Sequence, residues 1–311
     1  MDRFFPALVP ISLLIGMLLG GLLTLPHALS SLVFASVTFM GGLKMDFNSF
    51  AEVIKKPKAM LVSMFMLRLL FPLWALLISH LLFPNDVYIR TGLLLFSVLP
   101  IGINSVLWTM MAKGKVPLSL TVVLLDTFLA PILVPASILL LTGQLIELDA
   151  VGMMINLLLV IVIPTFTGVV VNQLSKGELP KKWNSKTGIL SKLGIILVML
   201  INGTNVREHF MTIDFGFILI VGAMIFLSVS GYLIAWFLGA SVFKLETDDL
   251  KATVFTGLRN INVGILIAIG YFPTAVSVPI ISTVLFQQMV CAFFANKLLV
   301  HFQKKDAMSE A

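Results

Sequence analysis

Leu99-Pro-Ile-Gly-Ile-Asn-Ser105 is the stretch that decides the fold. It places a proline, a glycine, an asparagine and a serine inside residues 91–112, a run with no Asp, Glu, Lys or Arg. A run of about 18 or more uncharged apolar residues reads as a membrane span. Pro100 lacks a backbone donor, and Gly102 tolerates an unwound chain. Unwound peptide groups are costly in hydrocarbon unless they line a cavity. The segment therefore predicts a membrane helix that breaks at mid-depth beside polar side chains.

A counterpart lies further along, at Thr256-Gly-Leu-Arg-Asn-Ile-Asn-Val-Gly264. The Ile-Asn pairs at 103–104 and 261–262 are 158 residues apart, close to half of the 311-residue chain. Two matched breaks in the two halves of a membrane protein point to an inverted repeat with its binding site where the broken helices cross.

The rest of the chain agrees with a membrane setting. Residues 4–43, 150–175, 215–243 and 260–296 also lack formal charge. Charged residues make up 12% of the sequence, against about 25% in a soluble domain. The apolar runs do not alternate with polar residues, which excludes a transmembrane barrel and leaves an all-α membrane protein. The first run holds two spans with a break at Thr24-Leu-Pro-His27. A second span follows at once, so it is not a cleavable signal peptide. Ten spans are expected, at roughly 7–24, 28–45, 59–82, 88–112, 116–142, 150–173, 188–205, 214–239, 249–270 and 274–302. The tail from Lys304 to Ala311 is expected to fray.

Basic residues set the orientation. Arg3, Lys44, Lys55, Lys56, Lys58, Lys113, Lys115, Lys176, Lys181, Lys182, Lys186, Lys192, Lys244, Lys251, Lys297, Lys304 and Lys305 fall on one side of this ten-span arrangement. The other side holds only Arg90 and Arg207. The positive-inside rule makes the first side cytoplasmic, with both termini there, in the inner membrane of a cell. Five spans per half give two repeats of opposite topology, 1–145 and 146–311. The net charge of +6 sits in these short loops, so no nucleic-acid partner is expected. A single cysteine, Cys291, excludes a disulfide framework and any CxxC site.

Three formal charges lie within spans: Arg68, Asp126 and Arg259. A charge at mid-bilayer costs on the order of 3 kcal/mol, so each needs a partner or water. Asp126 is expected to pair with Arg259 or Arg68, either to fix helix packing or to bind substrate or a coupling proton. Gln287 and Gln288 are expected mid-span in the tenth helix, as interhelical hydrogen-bonding groups or cavity residues. Asn104, Ser105, Ser119, Asn260 and Asn262 complete the expected cavity. Trp108, His80 and His27 read as interface or packing residues.

The chain resembles the bile acid:sodium symporter family over nearly its whole length. The motifs that carry this are Gly41-Gly-Leu-Lys-Met-Asp-Phe47 followed by Lys56-Pro-Lys58, then the stretch from Leu99 to Ser119, Pro131 and Pro135, and Thr256-Gly-Leu-Arg-Asn260. The resemblance implies a ten-span carrier in which a panel domain, spans 1, 2, 6 and 7, works against a core domain, spans 3–5 and 8–10. It implies a small organic anion as substrate. The bilayer is the expected partner, and the protein is expected as a monomer or homodimer, the choice between them left open by the sequence. The resemblance also implies sodium as coupling ion. Here, however, the family's sodium positions hold Leu67, Val106, Val123, Phe255 and Arg259, while Ser105, Ser119 and Asn260 are retained. Valine, leucine and phenylalanine side chains offer no oxygen ligand, and arginine is a donor only. No resident cofactor is expected, and sodium and a proton remain the two coupling ions to separate. An auxin-efflux-type or proton-coupled permease of the same superfamily is the second reading. An intramembrane enzyme is the third. With four His, no HExxH and one acid within a span, the sequence lacks its usual equipment.

Overall fold

A computed structural model describes residues 5–20, 26–45, 53–55, 57–143, 148–206 and 215–309, with the side chains of 5–7, 27, 184–185, 206 and 303–309 excepted. Arg3, Lys56, Arg207, Thr24, Leu25, Asp46 and Phe47, and the side chains of His27, Lys304 and Lys305, lie outside the described residues.

The described residues form helices α1 (Phe5–Leu19), α2 (His27–Gly42), α3 (Lys58–Leu82), α4 (Val87–Val98), α5 (Asn104–Met111), α6 (Val116–Thr142) and α7 (Ala150–Leu174). There follow α8 (Glu178–Val206), α9 (Phe215–Val242), α10 (Thr247–Phe255), α11 (Ile261–Tyr271), α12 (Thr274–Leu285) and α13 (Gln287–Ser309). There is no strand among them, only one isolated antiparallel bridge between Ile101 and Arg259. Five helical stretches are long and apolar enough to cross a membrane: α3, α6, α7, Lys186–Asn205 within α8, and α9. A sixth is the bent pair Thr274–Leu285 and Gln287–Phe302. Shorter apolar helices fill Leu8–Leu19, Ala28–Gly42, Val87–Val98 and Ile261–Tyr271.

The expected fourth and ninth spans are each split. Leu99 has ψ 149°, the extended backbone that a following proline enforces, and α4 ends there. The chain resumes as helix at Asn104. In the second half α10 stops at Phe255 and α11 starts at Ile261. Gly102 is not what forces the break. Its φ is not positive, and a Cβ there would come no nearer than 3.4 Å to the Arg259 carbonyl.

The tenth span departs from the expectation of one unbroken helix. It bends by 44° at Phe286, with Gln287 and Gln288 opening α13 instead of lying inside a helix. At the C-terminus α13 runs as helix to Ser309, beyond the expected end of the tenth span at 302. Its Gln303-Lys-Lys-Asp-Ala-Met308 sequence is rich in good helix formers.

Two helices contain a π turn that ends two residues before a proline: Met66–Leu70 ahead of Pro72, and Leu158–Val162 ahead of Pro164. A proline removes one helical donor and needs room for its ring, and a wider turn gives both. The first π turn carries Arg68.

Helices α1, α2, α7 and α8 pack on one another: α1 on α8, α8 on α2, and α2 on α7. At the α1–α8 contact Gly16 and Gly203 let the backbones meet. A Cβ on either would collide with a facing carbonyl, of Leu200 or of Leu13. The core around α4 is closed by α3, α6 and α12.

Candidate functional site

The two broken segments, 99–103 and 256–260, cross, and the crossing is built from backbone. The Gly102 amide donates to the Leu258 carbonyl at 2.8 Å, and the Asn260 amide donates to the Pro100 carbonyl at 2.8 Å. Each residue of the first bond lies 158 positions from its counterpart in the second. Ile101 and Arg259, the bridge pair between them, are also 158 apart. The crossing thus repeats one hydrogen bond about a local two-fold axis, in the same register as the Ile-Asn pairs.

A broken helix leaves carbonyls and amides without intrahelical partners, and each buried orphan costs about 1–3 kcal/mol. The in-span charges answer this need. Arg68 donates through Nη1 to the Val98 carbonyl at 2.8 Å. It also meets Asp126 Oδ1 through Nε at 2.6 Å and Nη2 at 2.5 Å. Asp126 Oδ2 accepts the Ile101 amide at 2.7 Å. Arg259 Nη1 donates to the Leu99 carbonyl at 3.2 Å, and its guanidinium lies 4.6 Å above the Phe71 ring. Gln287 Nε2 donates to the Arg259 carbonyl at 3.0 Å. Val98, Leu99, Pro100, Ile101, Gly102 and Arg259 all find partners in this way.

Of the two arginines offered as partner to Asp126, the structure gives Arg68 the ion pair. Asp126 is fully buried, and the Arg68 side chain is 11% exposed. Arg259 is buried too, and among the described residues no carboxylate lies within ion-pair distance of it. Its Nε has no hydrogen-bond partner. The Asp126 side chain accepts three N–H donors, two from Arg68 and one from the Ile101 backbone.

The remaining expected residues divide into two groups. Ser105 is buried with an unpartnered hydroxyl, and Asn262 is half-buried with an unpartnered carbonyl oxygen. Asn104 and Asn260 are half-buried at the starts of α5 and α11, where the Asn260 side chain accepts the Val263 amide at 3.4 Å. Ser119 is apart from the crossing contacts and accepts from Thr109 at 3.2 Å. Gln288 accepts the Trp108 indole N–H at 3.1 Å, so Trp108 ties α5 to α13 and is not merely an interface ring. His80 is exposed, with its ring nitrogen 2.9 Å from the Leu76 carbonyl.

The sequence reading missed Phe71 under Arg259, although Phe71-Pro72 directly follows the π turn that holds Arg68. It also missed Tyr232, whose hydroxyl lies 3.0 Å from Cys291 Sγ and whose ring faces the unwound Gly257.

The positions that the resemblance marks for sodium are filled with hydrocarbon. Leu67 and Val123 are 2% exposed and belong to one apolar cluster with Ile101, Val122 and Ala252, against which Val106 packs. Phe255 is fully buried among other apolar side chains. Only Ser105, Ser119 and Asn260 offer side-chain oxygens at those positions, and that of Asn260 accepts the Val263 amide. This donor set does not fit a hard cation that takes several oxygens.

A model of the sodium bile acid symporter family matches residues 31–213. The chain is 36% identical over 307 residues to the uncharacterised protein YbaS of Bacillus subtilis (strain 168), covering 98% of this chain and 100% of that one. It is 26% identical over 250 residues to an uncharacterised sodium-dependent transporter, YocS, of the same organism, covering 79% of this chain and 76% of that one. The probable sodium/metabolite cotransporter BASS1, chloroplastic, of Oryza sativa subsp. japonica is 24% identical over 246 residues, 78% of this chain and 59% of that one.

Proposed function

The chain belongs to the sodium bile acid symporter family, a multi-pass membrane protein of that group, and we propose that it is a secondary carrier of a small organic anion whose crossing holds a built-in cation in place of sodium. The observation that carries this reading is Arg259. It is a buried guanidinium without a carboxylate partner among the described residues, donating to a carbonyl of the opposite broken segment. A bound sodium would satisfy the same kind of carbonyl oxygen. The arginine does so covalently attached, beside positions where Leu67, Val123 and Phe255 exclude the ion.

The architecture we propose is ten spans in two inverted repeats, 1–145 and 146–311. The 158-residue register of the crossing supports it. The mutual packing of α1, α2, α7 and α8 supports a panel of spans 1, 2, 6 and 7, set against a core of spans 3–5 and 8–10. The lysine-bearing loops face the cytoplasm, and both termini lie there. The substrate seat is the seam where α5 and α11 begin, where Asn104, Asn260 and Asn262 are half-buried and the Asn262 carbonyl oxygen has no partner. Two helix N-termini carry partial positive charge and favour an anion.

The test is counterflow of labelled small organic acids in proteoliposomes, with and without sodium and across pH. Saturable exchange indifferent to sodium is expected. Uptake that requires sodium would overturn the tethered-cation reading, and a requirement for a proton gradient would favour the proton-coupled permease.

A further inference from the structure

Helices α5 and α11 start at the two edges of the crossing and are counterparts in the 158-residue register. Asn104 corresponds to Asn262, Leu107 to Ile265, and Met110 to Ala268. A faithful two-fold arrangement would bury the two helices alike, and this one does not. Leu107 and Met110 are 53% and 56% exposed, while Ile265 and Ala268 are 0%. Their coverings differ. Helix α11 packs on α12 first, then on α8, α2 and α4, whereas the chief neighbours of α5 are α6, α10 and α13. The cover that α11 draws from α2 and α8 has no equal on α5, so the seam is shut along α11 and open along α5.

A specific contact sits at the shut end. Tyr271, the last residue of α11, donates its hydroxyl to the carbonyl of Gly152 at 2.9 Å. Gly152 is in the first turn of α7 and is itself held, because its amide donates to Asp149 Oδ1 at 2.8 Å. A side chain at that position would run into the Asp149 carboxylate. Leu148, Asp149, Gly270, Tyr271 and Phe272 line a wide-mouthed cavity of about 620 Å³ there.

We propose that the Tyr271–Gly152 hydrogen bond is a latch that holds the seam shut at the α11 end, so that this structure is the conformer open toward the Lys113–Lys115 loop. The inference rests on the panel-and-core reading above, in which α7 and α11 belong to bodies that move against each other. Breaking one such contact shifts the balance between the two conformers and leaves the crossing intact.

The test uses the full chain in lipid nanodiscs with one added cysteine, at Leu107 or at Ile265, reacted with a water-soluble maleimide. Cys291 is fully buried and sets the background. Leu107→Cys is expected to label several times faster than Ile265→Cys. Tyr271→Phe removes one hydroxyl and keeps the ring. It is expected to raise the Ile265→Cys rate about fivefold, the effect of one net hydrogen bond on an equilibrium. Tyr271→Leu, a second route to the same loss, is expected to raise it at least as far. Equal labelling at the two positions in the parent chain overturns the latch. So do Ile265→Cys rates that neither Tyr271 variant changes. Labelling needs no transported solute, so a failed anion assay alone would strike the carrier reading and leave the latch standing.

Discussion

Arg68 meets Asp126 through two nitrogens on one oxygen, Nε at 2.6 Å and Nη2 at 2.5 Å, which leaves the other oxygen for the Ile101 amide. The pair therefore holds the broken segment from both ends, since Arg68 also takes the Val98 carbonyl. Removing one partner of a buried pair strands the other charge, at a cost of about 3–5 kcal/mol. Asp126→Asn is accordingly expected to lower thermal stability sharply in detergent. Normal melting and unchanged uptake at equal protein level would remove Asp126 from both the fold and the mechanism.

Arg259 gives a prediction of opposite kind. Arg259→Gln removes a charge and one bond to the Leu99 carbonyl. Exchange of the anion is expected to fall at least tenfold, and sodium is not expected to restore it, because Leu67, Val123 and Phe255 remain in place. Sodium-stimulated uptake by the Gln variant would show that the cation site had survived beneath the arginine.

Gln287 is predicted to be a fastener of the crossing. Gln287→Leu leaves the Arg259 carbonyl without its side-chain donor. The expected cost is about 1–2 kcal/mol, seen as a lower melting temperature. Trp108→Phe loses the bond to the half-buried Gln288 and is expected to cost less. Equal melting temperatures for Gln287→Leu and the parent would contradict this.

The glycines separate by position. Gly16→Leu drives a side chain into the backbone of α8 and is expected to abolish accumulation of folded protein. Gly102→Ala meets only ordinary contact with the Arg259 carbonyl, and is expected to stay within about 1 kcal/mol of the parent. Expression and size-exclusion profiles of the two variants make the comparison.

Much of the crossing could be read without coordinates. Pro100 announces a break by its missing donor, and the Ile-Asn pairs give the 158-residue register that the bridge between Ile101 and Arg259 follows. In-span charges announce themselves by their cost in lipid. The break at Phe286 was hidden, since Thr283-Val-Leu-Phe-Gln-Gln288 contains neither proline nor glycine. There the helix is interrupted where Gln287 reaches a carbonyl of another segment, a long-range contact that local propensity does not encode. The choice of Arg68 over Arg259 for Asp126 was hidden for a related reason. The π turn at Met66–Leu70 alters the helical register at Arg68, and periodicity of 3.6 cannot foresee it. The unequal covering of Leu107 and Ile265 is set by which helices pack on each, on which a repeat in the sequence is silent.

The unbalanced guanidinium at the crossing has an electrical corollary. With Arg68 and Asp126 cancelling, Arg259 leaves the empty core with one net positive charge among these three groups. If the proposed anion sits at the crossing with a single charge, the loaded core is neutral. Moving one elementary charge through the full membrane potential is worth about 2.3 kcal/mol per 100 mV. Voltage would then act on the return stroke of the empty carrier and hardly at all on the stroke that delivers cargo.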